Sequence, residues 1–485
     1  MRALDVLVLA GYFAALAYIG WSSRVREDNA RDMLVGDRQI PWWAVLLSVL
    51  GTEISALTFV GVPAFAYTGN WTYLQVTLGA IGGRYLVGRY FLPAFYRHNV
   101  VSIYEFLLRR YGPRTRNMAV LVFLFTRILM SGVRLGAGAV ILHLALGISS
   151  THAVWVLAAV GLVFCAAGGI RAVVWTEVMQ VSVMLLGALC AVLVLAGGLH
   201  SWEVPAGSMQ VLDFRLEPGL EFTFWACLLG TTLTNTAIFG TDYDMVQRML
   251  TAKNSQQSRW AVFGSGLAEV PICLLFLSIG TLLRLYYLQH PDPNLPSAAK
   301  EVFGYFIVHQ LPAGLCGLLV AAVVSVVLST YESALAALAG SFVVDFYKPT
   351  LKPHAPPGHY LVVTRLATVG FALLLLVVAI QSQHIDQILK FGLEVGTYFY
   401  GALLAVFAIA LIQPEERQAG PDLWTAVVAM PLSIVLVLWV KTHTSLAFPW
   451  FVSLGAVSAA SLILLGRLFG QKSTNWSQYC EIEPL

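Results

Sequence analysis

Residues 328–333 read Leu-Ser-Thr-Tyr-Glu-Ser, which puts the hydroxyls of Ser329, Thr330 and Ser333 and the carboxylate of Glu332 within two turns of an otherwise apolar stretch from Ala313 to Phe346. Hydrocarbon accepts such groups only when they are partnered. Bare oxygens suit a hard cation, which selects oxygen ligands. A second oxygen-rich interruption, Gly51-Thr52-Glu53-Ile54-Ser55, lies far upstream in another apolar segment. Two apolar helices interrupted in this way predict a membrane protein that couples an ion to the movement of a solute.

Composition supports a membrane location. The chain has 485 residues, 58% hydrophobic and 11% charged, with a mean hydropathy of +0.75. Soluble domains carry about 25% charged residues. A net charge of +3 offers no basis for nucleic-acid binding. The six cysteines form no CxxC pair, and five lie in apolar runs as small buried residues. No phosphate-loop, H-E-x-x-H or G-x-S-x-G motif occurs, so ATP-driven transport and enzyme chemistry are not expected.

A span needs about 20 apolar residues. Thirteen candidates lie near 4–22, 42–66, 72–93, 117–147, 152–170, 174–197, 221–247, 259–286, 312–345, 361–380, 387–412, 423–440 and 447–467. The first has Arg2 before it and Arg24, Arg26 and Arg31 after it, the reverse of a signal peptide's charge order, and reads as a retained anchor with its N-terminus outside. The inner loops then hold eighteen Lys and Arg residues, among them Arg109, Arg110, Arg248, Lys348, Arg417 and Lys472, against five in the outer loops. That asymmetry predicts a multi-pass protein of the inner or plasma membrane with a cytoplasmic C-terminus. No loop is long enough for an attached soluble domain.

The 42–66 span contains Gly51, Gly61 and Pro63, and glycine weakens helical hydrogen bonding. Unwinding near Gly51–Ser55 would free the carbonyls of Gly51 and Ile54. With the hydroxyls of Ser329 and Thr330 they form a largely neutral oxygen cage, better suited to a monovalent cation than to calcium. The alternative is that these hydroxyls bond back to the preceding turn of their own helices. Arg127 and Arg134 are seven residues apart on one helical face, and Arg127 falls about 15 Å along its span. Guanidinium suits a solute carboxylate. The alternative for Arg127 is a buried acid such as Glu53, Asp242 or Glu177. Lys390 and Glu394 are spaced for an i,i+4 ion pair. His143, Asp242 and Asp244 have no partner evident from spacing.

Several passages together resemble the sodium:solute symporter family. They are Gly51 to Gly61, Tyr90 to Pro93, Ser102 to Phe106, Arg110 to Gly112, Gly168 to Gln180, Gly240 to Arg248, Gly314 to Ala322 and Leu328 to Tyr347. The resemblance runs in order over roughly residues 40–410. It implies an all-α polytopic membrane protein of LeuT type, with two inverted five-helix repeats. The parts would be an anchor helix and inner loop at 1–41, a first repeat at 42–200, a second at 201–412, and flanking helices with a tail at 413–485. The second repeat's opening helix would be interrupted at Asn235 and Gly240–Asp242.

The same resemblance implies a Na+ site at Gly51, Ile54, Val326, Ser329 and Thr330. A second cation site would use Glu177, Ser329, Glu332 and Ser333, with Glu177 standing where the family has Asp. The solute positions would be Glu53, Ser55, Thr58, Gln75, Asn235 and Phe239, with Arg127 at the carboxylate position of the sialic acid members. Ile238 and Phe239 replace an aromatic pair of the galactose-transporting member, which argues against a hexose. The implied activity is sodium-coupled import of a small polar solute such as a sugar acid, carboxylate, sugar or amino acid, by alternating access. Proton coupling through Glu53, Glu177 or Glu332 stays open, as does a transporter-like sensor without significant flux.

Overall fold

The computed structural model describes residues 2–22, 38–100, 102–165, 170–385, 387–414 and 422–468. Regular structure among them is helical, with one isolated bridge pairing Ile40 with Ala252. This follows from the solvent, because in a bilayer a helix satisfies its own backbone polar groups. Nine described helices are long and apolar enough to cross a membrane, or ten when one bent pair is counted as a span. The remaining three of the thirteen expected spans are helical but shorter or divided. The 72–93 span becomes α-helix with a π turn at Val87–Phe91. The 152–170 span becomes Ser150–Cys165. The 221–247 span starts with a π turn at Ala226–Thr231 and breaks again near its end.

The helices used below are numbered in chain order. They are α1 (Ala3–Ser22), α2 (Trp42–Glu53), α3 (Ala56–Thr68), α4 (Val76–Leu86), α5 (Pro113–Leu146), α6 (Ile170–Gly197), α7 (Thr232–Thr241), α8 (Tyr243–Met249), α9 (Ser255–Gln289), α10 (Leu315–Ser341) and α11 (Ile388–Ile412). Helix α10 is central and almost wholly buried, whereas Gly358–Ser382 is largely exposed and turns Leu361, Leu366, Leu373 and Leu374 outward. Within a bilayer, helices associate mainly through close packing rather than exclusion of water. Glycines provide that closeness. A Cβ on Gly83 of α4 would lie 2.5 Å from the Asn235 Cβ of α7, and one on Gly51 of α2 would lie 2.9 Å from Val181 Cγ2 of α6.

The break expected at Gly51–Ser55 occurs, and so does the one at Gly240–Asp242, but Asn235, expected to interrupt the same helix, lies inside α7 and bonds back to its preceding turn. Helices α2 and α3 meet at 64° across Ile54 and Ser55. Ser55 adopts an extended backbone and its hydroxyl caps Leu57 N–H at 3.2 Å. The later break falls at Asp242, which ends α7 and starts α8. Its Oδ1 accepts from Asp244 N–H at 2.9 Å and from Met245 N–H at 3.4 Å.

Arg24, Arg26, Arg31, Arg417, Lys472, Gly168, Gly169 and Cys480 lie outside the described residues. The expected Lys390–Glu394 pair is not formed. Lys390 pairs with Glu221, and Lys441 donates to Glu394 at 2.5 Å. A loop and another helix offer these charges partners that i,i+4 spacing cannot anticipate.

Candidate functional site

The broken helix prepares oxygens locally. In a continuous helix the N–H groups of Leu57 and Thr58 would bond to the carbonyls of Glu53 and Ile54. Here they go instead to the hydroxyl and the carbonyl of Ser55, at 3.2 and 2.9 Å. The Ile54 carbonyl is thereby released from its helical partner. Gly51 sits one turn earlier, pressed against Glu177 and Val181 of α6.

Helix α10 brings the other half. Ser329 donates to Glu177 Oε1 at 3.2 Å, and Thr52 of α2 donates to the same oxygen at 3.2 Å. The two interrupted stretches are therefore neighbours across one buried carboxylate. Thr330 turns back on its own helix, donating to Val326 O at 2.5 Å and reaching Val327 O at 3.3 Å. Glu332 is buried on α10, spaced with Ser329 and Ser333 along one helical face.

Below this cluster lies an ionic network that sequence spacing did not assemble. Arg248 donates to Glu177 through Nη2 at 2.8 Å and through Nε at 3.3 Å, and to the Ser333 hydroxyl at 2.6 Å. It also pairs with Asp244, and Ser333 donates to both Asp244 oxygens at 2.7 Å. Ser48 donates to Glu177 from α2. Arg127 pairs with Asp244 and stands 3.6 Å from Asp242, whose Oδ2 accepts from Tyr400 at 2.7 Å. Arg248, counted from the sequence among the loop cations, is fully buried here. Asp242 and Asp244 gain the partners that spacing left open, and the Arg127 guanidinium is taken up by buried acids. Among the described residues, Arg134 has no carboxylate partner. Its Nη1 donates to Thr52 O at 3.3 Å, and its Nε is buried without a hydrogen bond.

A second ionic cluster borders the α2–α3 break. Arg84 of α4 donates to Glu269 of α9 at 2.7 Å, to Glu53 of α2, and to Ser265 at 3.3 Å. Its guanidinium lies 4.4 Å from the centre of the Phe239 ring of α7. The close approach of α4 to α7 at Gly83 places it there. Sequence reasoning included Glu53 and Phe239 but missed Arg84 and Glu269. Both lie inside expected spans, and an ionisable residue at such a position is itself a functional signal.

The other expected solute positions are spread out. Ser55 is the cap of α3, and Thr58 is half-buried in its first turn. Asn235 donates to Thr231 O at 3.0 Å, within its own helix. Gln75 ties down the 201–222 connection, donating to Phe222 O at 2.8 Å and accepting from Asp213 N–H at 3.2 Å. In that loop, the hydrogen bond from Arg215 holds the Asp213 carboxyl below its ordinary range.

A bundle of membrane-spanning helices, with two broken helices meeting at buried oxygens and paired charges, is built as a secondary transporter and not as an enzyme. The sequence pattern of the sodium:solute symporter family matches residues 33–428, and the chain belongs to that family. It is thus a sodium-coupled, multi-pass membrane transporter.

Relatives and solved structures agree. The chain is 29% identical over 456 residues to sodium-coupled monocarboxylate transporter 2 of Danio rerio, a match covering 90% of this chain and 72% of that protein. It is 26% identical over 494 residues to the sodium/sialic acid symporter NanT of Aliivibrio fischeri, covering 99% and 96%. A substrate-bound, outward-open Na+-coupled sialic acid symporter shares the fold with a TM-score of 0.83 at 23% identity, over 98% of this chain and 99% of that one. The nucleobase-cation-symport-1 family transporter Mhp1, closed with bromovinylhydantoin bound, gives 0.63 at 14% identity, covering 94% and 99%.

Proposed function

We propose that this chain imports a small carboxylate-bearing solute with one Na+ per cycle. In this reading Na+ is held by the carbonyls of Gly51, Ile54 and Val326 and the hydroxyls of Ser329 and Thr330. The observation that carries it is the meeting of Thr52 and Ser329 on one Glu177 oxygen, beside an Ile54 carbonyl that has lost its helical donor. A neutral set of carbonyl and hydroxyl oxygens suits a monovalent cation. Thr330 would rotate its hydroxyl from Val326 toward the ion. The two broken helices would open two inverted repeats, 42–200 and 201–412, with the N-terminus outside and the C-terminus cytoplasmic.

Stoichiometry follows from Arg248. The candidate second cation positions Glu177 and Ser333 already face its guanidinium, so a second ion would have to displace a built-in cation. For a solute whose carboxylate is balanced by its own positive charge, one net charge crosses with each Na+, and about 100 mV then contributes roughly 2.3 kcal/mol, enough for ~50-fold accumulation.

Carboxylate recognition passes from Arg127 to Arg134. Arg127 is neutralised by Asp244 and Asp242, while Arg134 is the guanidinium left without an acid beside the break. Monocarboxylates and sialic acid, the solutes named for the relatives above, all bear a carboxylate. Binding of Na+ would order the α2–α3 break, solute would bridge it to Arg134, and closure followed by inward opening would release both. Uptake into proteoliposomes under imposed ion gradients tests this. Solute uptake should require an inward Na+ gradient, and uptake driven equally by a proton gradient without Na+ would refute it.

A further inference from the structure

Beside the break two carboxylates converge on a single guanidinium. One nitrogen of Arg84, Nη2, serves both Glu53 and Glu269. An uncompensated charge at membrane depth is costly, and it is retained where a ligand completes it. Exposure decides what a solute meets. The Arg84 side chain is 0% exposed, whereas Glu53 and Glu269 are 23% and 20% exposed. Phe239 covers the guanidinium at 4.4 Å. The accessible face of the cluster is therefore carboxylate oxygen, which accepts hydrogen bonds and attracts a cation.

The opposite charge stands close by. Arg134 donates to the carbonyl of Thr52, the residue next to Glu53 in the chain. Its buried Nε has no hydrogen-bond partner, and no described acid pairs with it. An unpaired guanidinium and an under-neutralised pair of carboxylates thus flank the same helix break.

We propose that the solute is a zwitterion of the amino-acid type, its carboxylate received by Arg134 and its ammonium group by the exposed oxygens of Glu53 and Glu269. This rests on the sodium-coupled symport reading and narrows its substrate class. Arg84 is a positioning residue, holding the two acids from α2 and α9 at one point without meeting the solute. A plain hydroxy acid would satisfy Arg134 but leave the acid pair uncompensated. Discrimination therefore depends on the amine.

The test compares solutes that differ in that group alone, L-alanine against L-lactate and L-serine against L-glycerate. They are used as competitors for Na+-dependent binding, read by thermal stabilisation of the purified full-length protein and by uptake into proteoliposomes. The amino acid should be preferred by at least about tenfold, as for a site that must hydrogen-bond its ligand. Glu269→Gln keeps the shape of the side chain and removes the charge. It should cut that preference about tenfold while leaving the affinity for the hydroxy acid little changed. Glu53→Gln is the second variant should Glu269→Gln fail to fold. Hydroxy acids bound as well as or better than their amino counterparts, with Na+ dependence intact, would overturn the zwitterion and leave symport standing. A preference unchanged in Glu269→Gln would also overturn it. Loss of Na+ dependence for every solute would sink both.

Discussion

Thr52 and Ser329, on helices from opposite halves of the chain, donate to the same oxygen, Oε1 of Glu177, each at 3.2 Å. This shared acceptor joins the break between α2 and α3 to the hydroxyl turn of α10. It also links both to Arg248, which holds the same carboxylate from the far side. An ion seated between the two stretches would act on the contact between the two halves of the bundle.

Ser329→Ala with Thr330→Ala removes two oxygens of the proposed cage. Thr330 bonds within its own helix, and Ser329 loses one hydrogen bond, a loss of about 0.5–1.5 kcal/mol. Folding should survive, with a melting temperature lowered by only a few degrees, about as expected for such a loss. The Na+ concentration for half-maximal uptake should rise by about tenfold or more, equivalent to losing roughly 1.4 kcal/mol of ion binding. Na+ activation of uptake in proteoliposomes measures it, and an unchanged curve would remove these hydroxyls from the site.

Arg127 and Arg134 should separate cleanly. Arg127→Ala takes from Asp242 its guanidinium and leaves Asp244 with Arg248 alone, a loss on the order of 3–5 kcal/mol, and should appear as poor expression and a lowered melting temperature. Arg134→Ala breaks no described ion pair. It should leave the melting temperature nearly intact while solute affinity collapses. Equal thermal damage from both would refute the division of labour.

Arg248 standing against Glu177 and Ser333 predicts a Hill coefficient for Na+ close to one, and about one net charge moved per molecule of neutral solute. Electrogenic current measured against radiolabelled uptake gives the ratio. A ratio near two would mean that a second ion enters despite the guanidinium.

Gly83→Ala tests the packing that places Arg84. The new Cβ would fall 2.5 Å from Asn235 Cβ and 2.6 Å from Thr232 O, so α4 and α7 must separate. Overpacking of this kind costs about 1–3 kcal/mol. Lower thermal stability should come with weaker solute binding, since Phe239 and Arg84 move apart. A variant with full stability and full affinity would show the approach to be dispensable.

Much of the architecture was legible from local pattern. Apolar runs announced the spans, because the length of a helix in a bilayer is set by the thickness of the hydrocarbon. The kink at Ile54–Ser55 and the break at Asp242 were legible because polar and capping residues interrupt those runs in plain view. Arg84 and Glu269 were equally visible as charges inside apolar stretches, but nothing near them in sequence declared the other. The Lys390–Glu394 spacing suggested a pair that the bundle does not make, as Glu221 and Lys441 arrive from other segments.

The amino-acid order alone determined that this chain lives in a membrane and that its helices break near Ser55 and Asp242. Those properties depend on neighbours within a few residues along the backbone. Only the tertiary structure decided which arginine is paired with buried acids and which is not. Arg127 and Arg134 share one helix face and one chemistry. They differ because Asp244 and Asp242 come to the first from another helix, while the second meets a backbone carbonyl. Charge pairing in a low-dielectric interior is settled by distance in space, which the close packing of distant helices sets.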